Sequence, residues 1–177
     1  MVPKSAIIAS DYQLGYIALV KEEEVNQALE NNYKQFRKFL KKIPAKKIDY
    51  AYAEGKWTIR EVLRHLIDAE RVFNYRALRF ARKDATPLPG FDENYWAAQA
   101  ETGDRKWDDL VEEFKAVRKS TIWLFDTFKD DQLTFAGQAN GRPQNALTIG
   151  FLIAGHTAHH MKLLTERYLE PKAASEA

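Results

Sequence analysis

The chain has no cysteine. That excludes a disulfide framework, a thiolate nucleophile and any metal site ligated by protein sulfur, and it fits a cytoplasmic address. A dominant charge is missing as well: 27 basic side chains stand against 25 acidic ones, a net charge of +2, so no strong field marks the protein for nucleic acid or for an anionic membrane. No apolar run is long enough to span a bilayer. Met1 to Leu19 mixes Lys4, Asp11 and Gln13 among its apolar residues and does not read as a signal peptide. Gly-x-Ser-x-Gly elbows, phosphate loops and dinucleotide fingerprints are absent, as are internal repeats and low-complexity segments. What remains is 177 residues, enough for one domain, 1–177, with a sizeable core.

Four long segments carry helical periodicity, and no good strand alternation competes with them, so the class is all-α. The first runs from about Lys21 to Ile43, with Val25, Leu29, Asn32, Phe36, Leu40 and Ile43 on one stripe and Pro44 as its stop. The second, from about Ile59 to Arg82, opens on Thr58 with Glu61 three residues later, a capping box. Its stripe includes Val62, His65, Leu66, Ala69, Val72, Phe73 and Phe80. The third, about Trp107 to Phe128, aligns Trp107, Leu110, Phe114, Val117, Thr121, Leu124 and Phe128. The fourth, about Asn145 to Leu169, aligns Ile149, Leu152, Ile153, His156, His160, Leu163, Leu164 and Arg167, with Pro171 after its end. Such segments predict a four-helix bundle. Between the second and third, the aromatic-rich stretch after Pro87-Leu88-Pro89-Gly90 predicts a loop with a short extra helix over one end of the bundle. The connection from Ala136 to Pro143 is turn-rich. Loops near Phe91 to Trp96 and Gly137 to Pro143 are placed to wall a pocket. An N-terminal arm of about 20 residues and a tail of about six from residue 172 are expected to be peripheral.

Three of the four histidines fall in Gly155-His156-Thr157-Ala158-His159-His160; the fourth, His65, lies far upstream. His156 and His160, four apart on a helix, project from one face about a turn apart, within reach of one ion. A single inward histidine such as His65 is more often a satisfied core residue than a ligand. Burying a pair of imidazoles in the same core, however, costs free energy unless something binds their lone pairs. A divalent ion shared by His65, His156 and His160 supplies that partner. Three imidazoles without sulfur describe a catalytic type of site with an open coordination position. Zinc or nickel suits it best, and iron or copper is compatible. His159, on the flank, is an alternative ligand or a group at the site mouth. Asp68 is placed either to orient the His65 ring or to pair with Arg64 or Arg71.

Other metal architectures fit less well. A zincin needs Glu directly after its first histidine, and Thr157 stands there. A di-iron bundle needs Glu three residues before a ligating His, where Val62, Ile153, His156 and Thr157 stand instead. Haem has only the histidines in its favour. The arginines from Arg60 to Arg82 read as a solvated face or an interface edge, and Trp57, Phe73 and Tyr75 as packing aromatics.

With these residues the chain resembles the DinB-like family, which includes the YfiT-type proteins. The likeness is carried by Gly55-Lys56-Trp57-Thr58-Ile59-Arg60-Glu61-Val62-Leu63-Arg64-His65-Leu66-Ile67-Asp68-Ala69-Glu70, by Pro87-Leu88-Pro89-Gly90-Phe91-Asp92, by the histidine cluster, and by Glu166-Arg167-Tyr168-Leu169 behind it. The resemblance implies a four-helix bundle whose divalent ion is held by His65, His156 and His160. It also implies a metal-dependent enzyme, either a hydrolase or a transferase joining a low-molecular-weight thiol to a small-molecule electrophile, and a homodimer. Any thiol would come from outside, since the chain has none. Met161-Lys162-Leu163 stands where many relatives carry Arg-Gly-Gln. The alternative is a non-catalytic, stress-associated bundle with a structural metal. DNA binding, suggested by the family name alone, is opposed by the balanced charge.

Overall fold

The periodic segments become helices in the computed structural model of the chain, which describes residues 2–170. In chain order these are α1 (Asp11–Ile17), α2 (Val25–Leu40), α3 (Ile59–Ala81), α4 (Glu93–Gln99), α5 (Trp107–Asp126), α6 (Asp130–Thr134) and α7 (Ala146–Leu163), the last running into a π-helical turn, Leu164–Leu169. The capping box starts α3 as the sequence predicts: the Glu61 amide donates to Thr58 Oγ1 at 3.2 Å, and the Thr58 amide donates to Glu61 Oε2 at 2.7 Å. The four-helix bundle is built from α2, α3, α5 and α7, with α2 and α3 each packed against both α5 and α7. No helix among the described residues is long and apolar enough to cross a membrane. The tail from residue 172 lies outside the described residues.

The apolar core comes in two parts. One gathers Ala28, Leu29, Ala77, Phe80, Phe125, Phe151 and Ile153; the other gathers Phe36, Leu63, Leu66, Phe114, Leu164 and Tyr168. Between them each bundle helix contributes a polar residue to one layer. Arg118 of α5, 0% exposed, donates from Nε and Nη2 to both oxygens of Glu70 on α3, at 2.7 and 2.9 Å. The same guanidinium reaches Asn32 Oδ1 on α2 at 2.7 Å and Thr157 Oγ1 on α7 at 2.9 Å. Thr121 Oγ1 donates to Glu70 at 2.6 Å, and Asn32 Nδ2 to the Ala154 carbonyl at 3.1 Å. A buried ion pair is tolerable only when its remaining donors and acceptors are largely satisfied; here four of the five guanidinium donors and both carboxylate oxygens have partners.

Three sequence expectations need correction. The N-terminal arm is not peripheral. Helix α7 is buried without a break from Ala146 to Thr157, and a helix apolar all round needs cover on every side. The arm supplies the missing side: Ile17 and Val20 enter the core, and the Ile8 amide donates to Thr148 Oγ1 at 2.9 Å. Gly155 makes the approach possible, because a Cβ there would lie 2.3 Å from the Tyr16 carbonyl oxygen. Second, the connection after α6 contains a hairpin, β1 (Ala136–Ala139) antiparallel to β2 (Arg142–Asn145), which Leu88 joins through a bridge to Ala139. Its turn residues Asn140 and Gly141 both have positive φ, 53° and 71°, the signature of a tight hairpin turn. Third, Arg167 is exposed and Tyr168 takes the inward position. The π-helical turn adds residues per turn and rotates the stripe.

Replacing Arg118 with Met should leave Glu70 buried and unpaired and lower the unfolding free energy by about 3–5 kcal/mol in urea denaturation. Glu70→Leu combined with Arg118→Met should cost clearly less than the sum of the two single changes; strict additivity would show that the pair is not coupled.

Candidate metal centre

Helix α3 presents His65 and helix α7 presents His156 and His160 toward each other. The two α7 positions share a face because four residues make slightly more than one turn. Thr157, held by Arg118, fixes how α7 is rotated against α3. His65 Nε2 lies 3.1 Å from His156 Nε2, and His160 Nε2 lies 3.1 Å from the same atom. One ligand atom from each of the three residues falls within 4.8 Å of the other two. Nitrogens bound to one tetrahedral ion stand about 3.3 Å apart, so the spacing fits a shared cation.

The chemistry of the donors supports that fit. A ring nitrogen carries either a lone pair or a proton, so His156 Nε2 can be a good partner in one of its two contacts and not in both. A cation accepting three lone pairs removes the conflict. Burial keeps those lone pairs free. Desolvation is the largest cause depressing all three: the His156 pKa falls well below 6.5, with the neighbouring His160 and His65 adding to the effect. That of His160 is pushed down to about 3. His65 is lowered too, against the opposing fields of Glu93 and Asp68. Among the described residues Nδ1 of His160 is buried without a hydrogen-bond partner, and this ring makes its polar contact through Nε2, into the cluster.

The cluster opens on a cavity of about 510 Å³. Trp57, its ring 4.8 Å from that of His65, forms one wall with Phe73 and Leu152. Phe91 and Glu93, at the start of α4, form another, and Ala139, Asn140 and Arg142 of the hairpin a third. Both connections therefore wall the pocket. His159 stands at the rim, 5.0 Å from the Tyr16 ring, outside the group of three. Asp68 engages Arg64 and Arg71, at 3.0 and 3.3 Å, rather than the His65 ring.

The sequence does not point to Tyr16 and Arg76. Tyr16 reaches the site only because the arm folds over α7; its ring lies 5.6 Å from that of His156. Burial, then its hydrogen bond with Tyr12, pushes its pKa well up, so the hydroxyl stays protonated at neutral pH. Among the described lining residues, Glu93 is the one carboxylate.

The depressed histidines give the metal-free protein a pH-dependent stability. Below pH 6.5 the unfolded chain binds protons at His156 and His160 that the folded protein refuses, down to about pH 3 for His160, so stability falls on acidification and the contribution of these groups is flat above 6.5. Each such histidine should contribute a slope of up to about 1.4 kcal/mol per pH unit, read by urea titrations at several pH values. The slope should drop in His160→Gln; an unchanged slope would mean that His160 titrates normally.

Comparison with known proteins agrees with this architecture. A family model described as the DinB superfamily matches residues 28–164. A protein of Oceanobacillus iheyensis named "putative metal-dependent hydrolase" is 29% identical over 113 residues, 62% of this chain and 64% of its own length. The chain thus spans somewhat under two thirds of that relative. One of Bacillus mycoides with the same name is 26% identical over 161 residues, 86% of this chain and 90% of the relative. Among solved structures, YfiT of Bacillus subtilis, described as a probable metal-dependent hydrolase with an unusual four-helix bundle topology, matches with a TM-score of 0.66. It is 18% identical, over 89% of this chain and 86% of its own, a likeness that speaks for the fold. The chain belongs to the DinB superfamily.

Proposed function

We propose that the protein is a divalent-metal-dependent enzyme of hydrolytic type, with His65, His156 and His160 as the ligands of one ion. The observation that carries this reading is the meeting of three neutral Nε2 atoms, from two helices, on the wall of a cavity large enough for a small molecule. The printed names of the relatives point the same way. A zinc-type ion held by His65, His156 and His160 would supply Lewis acidity, enough to activate water near neutral pH or to favour the thiolate form of an external thiol.

The other groups of the cavity have distinct parts in this reading. Glu93 receives a proton from the nucleophile; its field acts on His65 and on Tyr16. The Tyr16 hydroxyl, kept protonated by burial, donates a hydrogen bond to the reacting molecule or to Tyr12, which stands 2.9 Å away. Trp57, Phe73, Phe91 and Leu152 exclude water and receive the apolar part of a substrate. Because the chain has no cysteine, thiol transfer in place of hydrolysis needs a low-molecular-weight thiol in the same cavity.

Elemental analysis of the purified protein should find about one equivalent of a transition metal, lost in both His65→Ala and His160→Ala. No metal after incubation with zinc and nickel at neutral pH would sink the reading. The loaded protein should then hydrolyse members of an ester and amide panel; activity only with an added thiol and electrophile would select transfer. Glu93→Gln should keep its metal and lose about 10²–10⁴ in kcat. Silent panels, combined with a large fall in Tm on chelation, would leave a structural metal.

A further inference from the structure

Helix α3 carries a row of arginines, of which Arg60, Arg64, Arg71 and Arg79 are each paired with a carboxylate. Arg60 pairs with Asp49, Arg64 and Arg71 with Asp68 and Glu113, and Arg79 with Asp84. Arg76 differs in every respect. It is 7% exposed, it lines the cavity, and among the described residues it has no carboxylate within ion-pairing distance. Its polar contact is a single hydrogen bond from Nη2 to the Pro89 carbonyl at 2.7 Å; its guanidinium also sits 5.9 Å from the Phe91 ring centroid. Desolvation is the cause that lowers its pKa, with no acidic neighbour opposing it.

A guanidinium has five N–H donors in a planar fork. Here one is committed to a carbonyl; the nitrogens without a partner are not fully enclosed and keep access to the cavity, and a guanidinium only 7% exposed with no counter-ion is unfavourable in folding. The position explains what that cost serves. Eleven residues separate His65 from Arg76, which is about 16 Å along the helix and brings the two nearly onto one line of its surface. Ala69 and Phe73 lie between them, and both line the same cavity. The small Ala69 leaves room for a bound molecule, and Arg76, leaning toward the N-terminal end of α3 as long helical side chains do, faces back along that groove. Arg142, the other cavity cation, is exposed and donates to Ser10 Oγ at 3.0 Å. Its charge is solvated and needs no partner.

We propose that Arg76 is an anion-binding residue of this cavity. The molecule acted on carries an oxyanion, a carboxylate or a phosphate-type group, at the end remote from the bond that reacts. The inference deepens the reading of the histidine cluster as a metal-dependent catalytic site and rests on it for the word substrate. The anion site itself stands on Arg76 and the cavity.

The test is calorimetric binding of phenylbutyrate, of its neutral amide and of phenylphosphonate to the full chain, metal-free and zinc-loaded. Phenylbutyrate or phenylphosphonate should bind about tenfold or more tightly than the amide in both forms, and the better of the two identifies the oxyanion. The preference should vanish in Arg76→Gln, persist largely in Arg76→Lys and be unchanged in Arg142→Gln, with thermal melts showing each variant folded. Equal binding of anion and amide would overturn the assignment. So would a preference that survives Arg76→Gln, that is lost in Arg142→Gln, or that appears only with zinc and so reports ligation by the ion. Elemental analysis of the same samples keeps the two proposals apart. A parent that takes up no metal yet shows the Arg76-dependent preference refutes the metal reading and supports this one.

Discussion

The ion pair between Arg118 and Glu70, at the centre of the bundle, is the contact on which the arrangement of the four long helices depends. Apolar packing alone tolerates helices that slide or rotate against each other by part of a turn, since one leucine contact can replace another. A planar guanidinium with fixed partners on three other helices does not. Asn32, Glu70 and Thr157 must each present an acceptor at one level of the bundle. Because Thr157 follows His156 directly, the contact that satisfies the arginine also sets where the imidazoles of α7 point. The polar layer therefore bears on the histidine cluster by fixing register. An apolar core of the same volume would offer comparable stability with weaker control of that register.

The second constraint comes from α7. Its stretch from Ala146 to Thr157 is buried on all sides, whereas the bundle covers it chiefly through α2 and α3. The chain before the first long helix closes the gap, and Gly155 allows backbone to lie against backbone there. A residue some 140 positions away in sequence thereby enters the site: the Tyr16 ring packs edge-on against His156 and His159. The hairpin and α4 close the opposite side, so the cavity draws its walls from segments along most of the described chain.

Within that enclosure, low polarity has two consequences. It holds the imidazoles neutral, which is the form that binds a metal and also the form that destabilises the metal-free protein in acid. It also sharpens every charge that stays. That applies above all to Arg76, which is buried; Glu93 and Arg142, both exposed, stand at the solvated edge of the cavity. A cavity with apolar aromatic walls, a cluster of neutral donors and one buried guanidinium without a carboxylate partner is suited to small molecules with an apolar body and an anionic end.

Much of this was legible in the residues. Periodicity located the four long helices because burial of one face repeats every turn. The Thr58–Glu61 box marked the start of α3 because its two hydrogen bonds are local. His65, His156 and His160 stood out because two of them share a helix face and all three fall on inward stripes. The residues with no such signal are those whose meaning lies in a distant partner. Arg118 reads as a surface charge until Glu70 is opposite it. Arg76 looks like its paired neighbours until the missing carboxylate is seen. Tyr16 belongs to an arm with no periodic claim on the core. The Asn140-Gly141 turn did carry a local signal, masked by strands of only four residues each. Local spacing thus determined the helices and the three imidazoles. Only the tertiary structure decided which charges are neutralised and which segments cover the site, because burial and ion pairing are set by what packs opposite a residue, and its sequence neighbours do not specify that.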